Sequence, residues 1–229
     1  MAKKVKKTRK ELLKEPDEFI TLTGRMIEFA VDHKNQLIYG LGIVLALAII
    51  LSGIRFFSIR AENKAAAMLN QSLMAYNNLK NQQSPEEVYS AVSEGFQSIV
   101  QKYDDRDSGK LARLIYANIS YDAGHYQQAI ELYKAALNDF ETHAMIHSQI
   151  FSNLGYSYEQ QKDYATAISY FEKVSEAPEA VLRGEALFNM GRLYGKLGQL
   201  EKSKAAYQKI VSDYPDFIYI DMVKEQISG

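Results

Sequence analysis

"GHYQQAIELYKAAL" occupies Gly124–Leu137, and three other segments align with it without gaps. They are "KDYATAISYFEKVS" (Lys162–Ser175), "GQLEKSKAAYQKIV" (Gly198–Val211) and "EVYSAVSEGFQSIV" (Glu87–Val100). An aromatic recurs at Phe96, Tyr133, Phe171 and Tyr207, at spacings of 37, 38 and 36 residues. Seven residues before each stand Tyr89, Tyr126, Tyr164 and Leu200, and between them fall Val92, Ala129, Ala167 and Ser203, mostly small. Self-similarity at this period implies a helical solenoid, in which each unit buries its apolar face only by stacking on its neighbours.

A second helical pattern precedes three of these segments: "ARLIYANISYDA", "FSNLGYSYEQQ" and "LFNMGRLYGKLG". Each has a small residue, Ala117, Gly155 or Gly191, where two helices must approach closely, and Tyr158 and Tyr194 follow three positions later. Small groups let the helices of a pair close together, and the recurring aromatics are expected to fill the gap to the next pair. The expected fold is all-α: one N-terminal transmembrane helix, then about four helix pairs and a closing helix over residues 58–229. The first pair is atypical. Its leading helix, 61–80, continues from the apolar run and ends in "NQQSP", with Ser84 capping a helix that starts at Pro85. "DFIYIDMVKEQI" after Pro215 reads as the closing helix, with Phe217, Ile218 and Met222 expected to cover the last pair.

The series Leu154, Gly155, Tyr158, Tyr164, Ala167, Phe171 resembles the tetratricopeptide repeat, as does Gly191, Tyr194, Gly198, Tyr207, Pro215. The resemblance covers residues 85–215. Arg113, Phe151 and Leu187 stand at the usual tryptophan-like position, Lys162 replaces a turn glycine, and the period exceeds the family's usual one. The resemblance implies a concave protein-binding groove lined by the leading helices. Carried over by position, its candidates are Leu114, Asn118 and Tyr121, then Ser152, Tyr156 and Gln160, then Phe188, Arg192 and Lys196. Leu114 and Ser152 stand where relatives that hold a peptide's terminal carboxylate have lysine-type residues, which argues against binding of that kind.

Composition narrows the classes. The chain has 229 residues, 47% hydrophobic and 24% charged, with net charge −1, ordinary values for a folded protein. It has no Cys, which excludes disulfides, thiolate metal sites and a cysteine nucleophile. Residues 1–14 carry seven basic groups and one acid, whereas residues 61–229 carry sixteen basic and twenty-two acidic groups. A basic tail before an acidic body fits anionic headgroups near the tail and argues against nucleic-acid binding by the body.

From Leu37 to Ile54 the chain runs eighteen residues without a charge, a helix of about 27 Å, close to the hydrocarbon thickness. Arg55 and Arg60 can snorkel at one end with Phe56 and Phe57, while Lys34 and Tyr39 mark the other. Small residues suited to signal cleavage, Ala65–Ala67, lie well beyond the run, so residues 37–57 read as an uncleaved signal anchor. Residues 1–36 hold nine Lys and Arg against three in the twenty residues after the run. Counted this way, the positive-inside rule places the N-terminus in the cytoplasm and the repeats outside it; counted close to the run alone, the contrast disappears. Between tail and anchor, Pro16, Asp17 and Glu18 open a helix whose apolar residues gather largely on one face. It reads either as an interfacial helix or as an amphipathic pre-helix without lipid contact.

Catalytic constellations are missing from the sequence. "GLGIVL" lies in the apolar run and lacks the third glycine of a phosphate cradle, and no G-x-S-x-G occurs. His143 and His147 have i, i+4 spacing but no evident third ligand, and "DDRD" at Asp104–Asp107 reads as a solvated turn. The expectation is a non-enzymatic binding protein with no cofactor, metal or small-molecule substrate. The layout of basic tail, single anchor and small repeat domain is similar to the YfgM-like family of bacterial inner-membrane proteins. That resemblance implies an ancillary role beside the Sec translocon and extracytoplasmic chaperones. The alternatives are a structural subunit of an envelope assembly or homo-oligomer, or a cytoplasmic adaptor if the topology is reversed.

Overall fold

The computed structural model describes residues 18–177 and 180–228; the basic tail and the expected helix start at Pro16 and Asp17 lie outside them. The described residues form ten helices and no strand. They are α1 (Glu18–Asp32), α2 (Lys34–Leu79), α3 (Pro85–Lys102), α4 (Asp107–Asp122) and α5 (Tyr126–Asp139). There follow α6 (Ala144–Gln160), α7 (Tyr164–Glu176), α8 (Ala180–Lys196), α9 (Leu200–Asp213) and α10 (Ile220–Ser228). The chain divides into two compact units, Met1–Ile59 and Arg60–Gly229.

Helix α2 is long and apolar enough to cross a membrane, and none of its apolar window is buried by protein. Only His33 separates α1 from α2.

The second unit is a solenoid of successive helix pairs. Its turns follow local chemistry. Ser84 and Glu87 form a reciprocal capping box ahead of α3, with Pro85 in the first turn. At α4, Arg106 supplies no side-chain cap. Glu62 of α2 caps this helix instead, accepting from the Asp107 and Ser108 amides at 3.1 Å and from the Ser108 hydroxyl at 2.6 Å. The turns inside the last three pairs need one left-handed residue each: Gly124 (φ 84), Lys162 (φ 63) and Gly198 (φ 71). Lysine adopts that backbone at a cost of about 1 kcal/mol relative to glycine.

Packing inside a pair rests on the small residues. A Cβ on Gly155 would lie 2.7 Å from the Phe171 ring, and one on Gly191 would lie 2.6 Å from the Tyr207 ring. Ala117 and Tyr133 share one buried cluster. These aromatics seat on the small residue of their own pair. The reason is the close approach itself: a glycine opens a ring-sized socket in the leading helix. Phe171 also shares a buried cluster with Ala186, Leu187 and Met190 of the next pair, and Phe96 with Ala112, Tyr116 and Ile119. Phe96 and Ala167 are also fully buried. Arg113, at the tryptophan-like position, does different work from an aromatic. It pairs with Asp139 in a side-chain contact that is 11% and 13% exposed, tying the body of α4 to the end of α5.

The last pair is closed by Phe217, Ile220, Val223 and Ile227, with Val223 fully buried. Ile218 and Met222 stay exposed, contrary to the sequence reading. The turn bonds from the Phe217 amide to the Tyr214 carbonyl and from the Ile220 amide to the Phe217 carbonyl delay the helix. The inward register is therefore counted from Ile220, giving 220, 223 and 227.

Candidate protein-docking face

Successive leading helices α4, α6 and α8 carry the proposed contact residues. Counted from the small residues Ala117, Gly155 and Gly191, the next position holds Asn118, Tyr156 and Arg192, and two positions earlier stand Ile115, Asn153 and Asn189. The structure links these two registers across pairs. The Asn153 amide donates to Asn118 Oδ1 at 3.2 Å, and the Asn189 amide donates to the Tyr156 hydroxyl at 2.8 Å. One hydrogen bond is thus repeated at two junctions with different acceptors.

Around the first of these, the Tyr133 hydroxyl also donates to Asn118 Oδ1 at 2.6 Å. Burial pushes the Tyr121 phenol upward, opposed by its bond to Gln160 of the next leading helix. The hydrogen-bonded groups are neutral, with the Glu159 and Asp122 carboxylates pushing the Tyr121 phenol further up. Around the second, Tyr156 donates to Glu185 at 2.5 Å, while Arg192 grips Glu159 with two nitrogens at 2.5 and 2.6 Å and reaches Asn189 Oδ1 at 2.9 Å. Lys196 adds a third contact to Glu159 at 3.0 Å. Burial alone raises the Glu159 carboxyl, but the Arg192 and Lys196 bonds outweigh it and hold the group below its ordinary value. The Tyr156 phenol is pushed up by burial first and by Glu185 second.

A third polar cluster lies nearer the start, where Tyr89 of α3 donates to Gln128 of α5 at 2.5 Å and Gln128 donates to the Tyr116 hydroxyl of α4 at 2.8 Å. Burial, with the Tyr89 bond second, pushes the Tyr116 phenol up to about 12.

The candidates therefore divide. Asn118, Gln160 and Lys196 are exposed, and Leu114, Tyr121, Tyr156 and Arg192 are half-buried. Ser152 is only 8% exposed and offers no surface. Phe188 packs against Tyr207, Phe217 and Tyr219, so the closing segment takes the face that a partner was expected to use. Tyr156 and Arg192 are inter-pair struts. His143 and His147 turn to aromatics, Phe140 and Phe151, and no group of three or more metal-ligating side chains occurs among the described residues.

Residues 146–216 match the tetratricopeptide repeat family. Over those residues the solenoid is tetratricopeptide-like. A Podosopora anserina kinesin light chain with nearly identical TPR-like repeats superposes with a TM-score of 0.54 at 14% identity. That match covers 73% of this chain and 85% of the other. BtubC (BKLC) from P. vanneervenii gives a TM-score of 0.52 at 12% identity, covering 74% and 81%. At such identities the likeness is one of fold. The human intraflagellar transport protein 88 homolog is 29% identical over 137 residues, 59% of this chain, which spans 16% of that protein's length. Tetratricopeptide repeats are protein-interaction scaffolds of a typically non-catalytic kind, and residues 146–216 match that repeat.

The sequence reading missed the struts Asn153, Asn189, Glu159 and Glu185. A signal was present: "FSNLG" and "LFNMG" both place Asn two residues before the glycine, a coincidence that packing of apolar side chains does not explain.

Proposed function

We propose that this chain is a membrane-tethered docking scaffold, anchored by residues 37–57 with its N-terminus in the cytoplasm and its repeats on the outer face of the bacterial inner membrane. There the repeats hold exported chains, chaperones or translocon components, as the similarity to the YfgM-like family implies. The anchor's part is local concentration: it confines the docking face to the surface where these partners emerge. The observation that carries the docking reading is the strutted leading-helix face. Hydrogen bonds between neighbouring pairs hold it in one geometry, and Asn118, Gln149, Gln160 and Lys196 remain exposed along it. A preorganised polar face binds without first paying to order itself.

The test is site-specific photo-crosslinking in cells. A crosslinker replacing Gln149 or Gln160, both exposed on α6, is expected to capture translocon, chaperone or exported proteins. The same group at the exposed Ser169 of α7 is expected to capture none of them. Equal capture from both helices, or none from α6, contradicts the docking face.

A second reading has its own observation. Ile218 is 81% exposed at the far end of the array, beside Tyr219, Met222 and a cleft of about 570 Å³. An apolar end of this kind suits permanent contact with a second copy or an envelope subunit. Sedimentation of the detergent-solubilised chain separates the two: a monomer favours transient docking, a stable oligomer the structural role.

A further inference from the structure

We infer that α1 lies in the membrane–water interface, its apolar side in the boundary between headgroups and acyl chains, just ahead of the span. This rests on the reading of residues 37–57 as a membrane anchor. The described side chains of α1 sort cleanly. Arg25, Glu28 and Asp32 follow i, i+3, i+7 spacing and form one narrow polar strip. The other sides carry Leu22, Met26, Ile27, Phe29 and Val31, each between 57% and 68% exposed. Five large apolar side chains without cover on fifteen residues of helix are a surface that water disfavours.

The distance along the chain identifies what covers it. Asp32 precedes Leu37, the first residue of the span, by five residues, about 8 Å of helix. The headgroup layer on each side of the hydrocarbon is about 5–8 Å deep. The end of α1 therefore emerges inside that layer, where an apolar helix side and a polar strip each meet the medium they prefer. His33 is the one residue between the two helices, and its carbonyl accepts from the Leu37 amide at 2.9 Å. Its ring stacks on Phe29 at 4.3 Å, and Nδ1 lies 3.1 Å from the Phe29 carbonyl oxygen. The polar strip is acidic on balance, so the attraction comes from apolar burial and does not require anionic lipid.

The chain has no Trp, so a single introduced indole reports alone. Three full-length variants, Phe29→Trp, Glu28→Trp and Leu47→Trp, are reconstituted in phosphatidylcholine vesicles carrying bromine either near the top or deep in the acyl chains. The expected result is deep-bromine quenching of Leu47→Trp and about twofold quenching of Phe29→Trp by shallow bromine, with Glu28→Trp much less affected. If Leu47→Trp is quenched while Phe29→Trp behaves like Glu28→Trp, α1 stands off the membrane, in water or on a protein, and the inference is overturned. Deep-bromine quenching of both Phe29→Trp and Glu28→Trp overturns it in the other direction, by sinking α1 into the core. Failure of Leu47→Trp to respond removes the anchor itself, a different result from either.

Discussion

The two junctions between leading helices share one register and differ in chemistry. Between α4 and α6, Asn153 meets Asn118 and Tyr121 meets Gln160, all neutral groups. Between α6 and α8, Asn189 meets Tyr156 in the same geometry, but Glu159, Arg192, Lys196 and Glu185 surround it. A repeat thus conserves the position of its strut while leaving the surrounding charge free to vary. Strength, salt response and pH response are accordingly properties of a junction, not of the fold.

The largest expected effect tests what the two have in common. Gly155→Val and Gly191→Val each force a branched side chain into an occupied ring socket. Each is expected to destabilise by about 3 kcal/mol in chemical denaturation, with similar losses at both sites because the packing inside the pairs is alike. A large disparity between them would show that the pairs differ in packing as well as in charge.

The next effect separates the junctions. Arg192→Met leaves Glu159, 11% exposed, with Lys196 as its remaining cationic partner. It is expected to cost about 2 kcal/mol. Asn153→Ala removes one neutral bond while Asn118 keeps Tyr133, for about 1 kcal/mol. Equal losses in denaturant melts would erase the distinction.

Sign matters for the turn between α6 and α7. Lys162→Gly relieves a left-handed lysine and is expected to stabilise by about 1 kcal/mol, whereas Gly198→Lys at the equivalent turn should destabilise by a similar amount. Thermal melts of the two variants, moving in opposite directions, check this.

The smallest effect is in pH. Glu159 is held below its ordinary value in the folded chain, so its contribution is complete above the unfolded carboxylate pKa, about 4.3. It is lost as pH falls from there through the folded value. The stability gap between the wild type and Glu159→Gln is therefore expected to narrow below pH of about 4.3 and to be flat from there to neutrality. A gap unchanged in acid would mean that the ionic junction contributes nothing through its charge.

Much of this fold was legible in the residues, because solenoid packing repeats and repetition can be counted. Small residues at 117, 155 and 191 and aromatics at 133, 171 and 207 announced the pairs. Ser84 ahead of Pro85 announced a cap, and its structure is the reciprocal box with Glu87. The terminal register was less legible. A two-step turn moved the inward set from Ile218 and Met222 to Ile220, Val223 and Ile227, and turn geometry of that kind leaves little trace in hydrophobicity. The candidate face was legible by position only. Position named Tyr156 and Arg192, but not that their polar atoms are already engaged by Glu185, Asn189 and Glu159, since such bonds join residues about thirty apart. Ser152 and Phe188 were lost for the same reason: burial depends on the neighbouring pair.

Topology tests the central claim most directly. Spheroplasts expressing the full chain with a carboxyl-terminal tag are treated with protease before and after the membrane is broken. The account predicts that the repeat unit is digested from outside, leaving a protected fragment that contains residues 1–57. A tag that survives until the membrane is breached would place the repeats in the cytoplasm and contradict docking at the outer face.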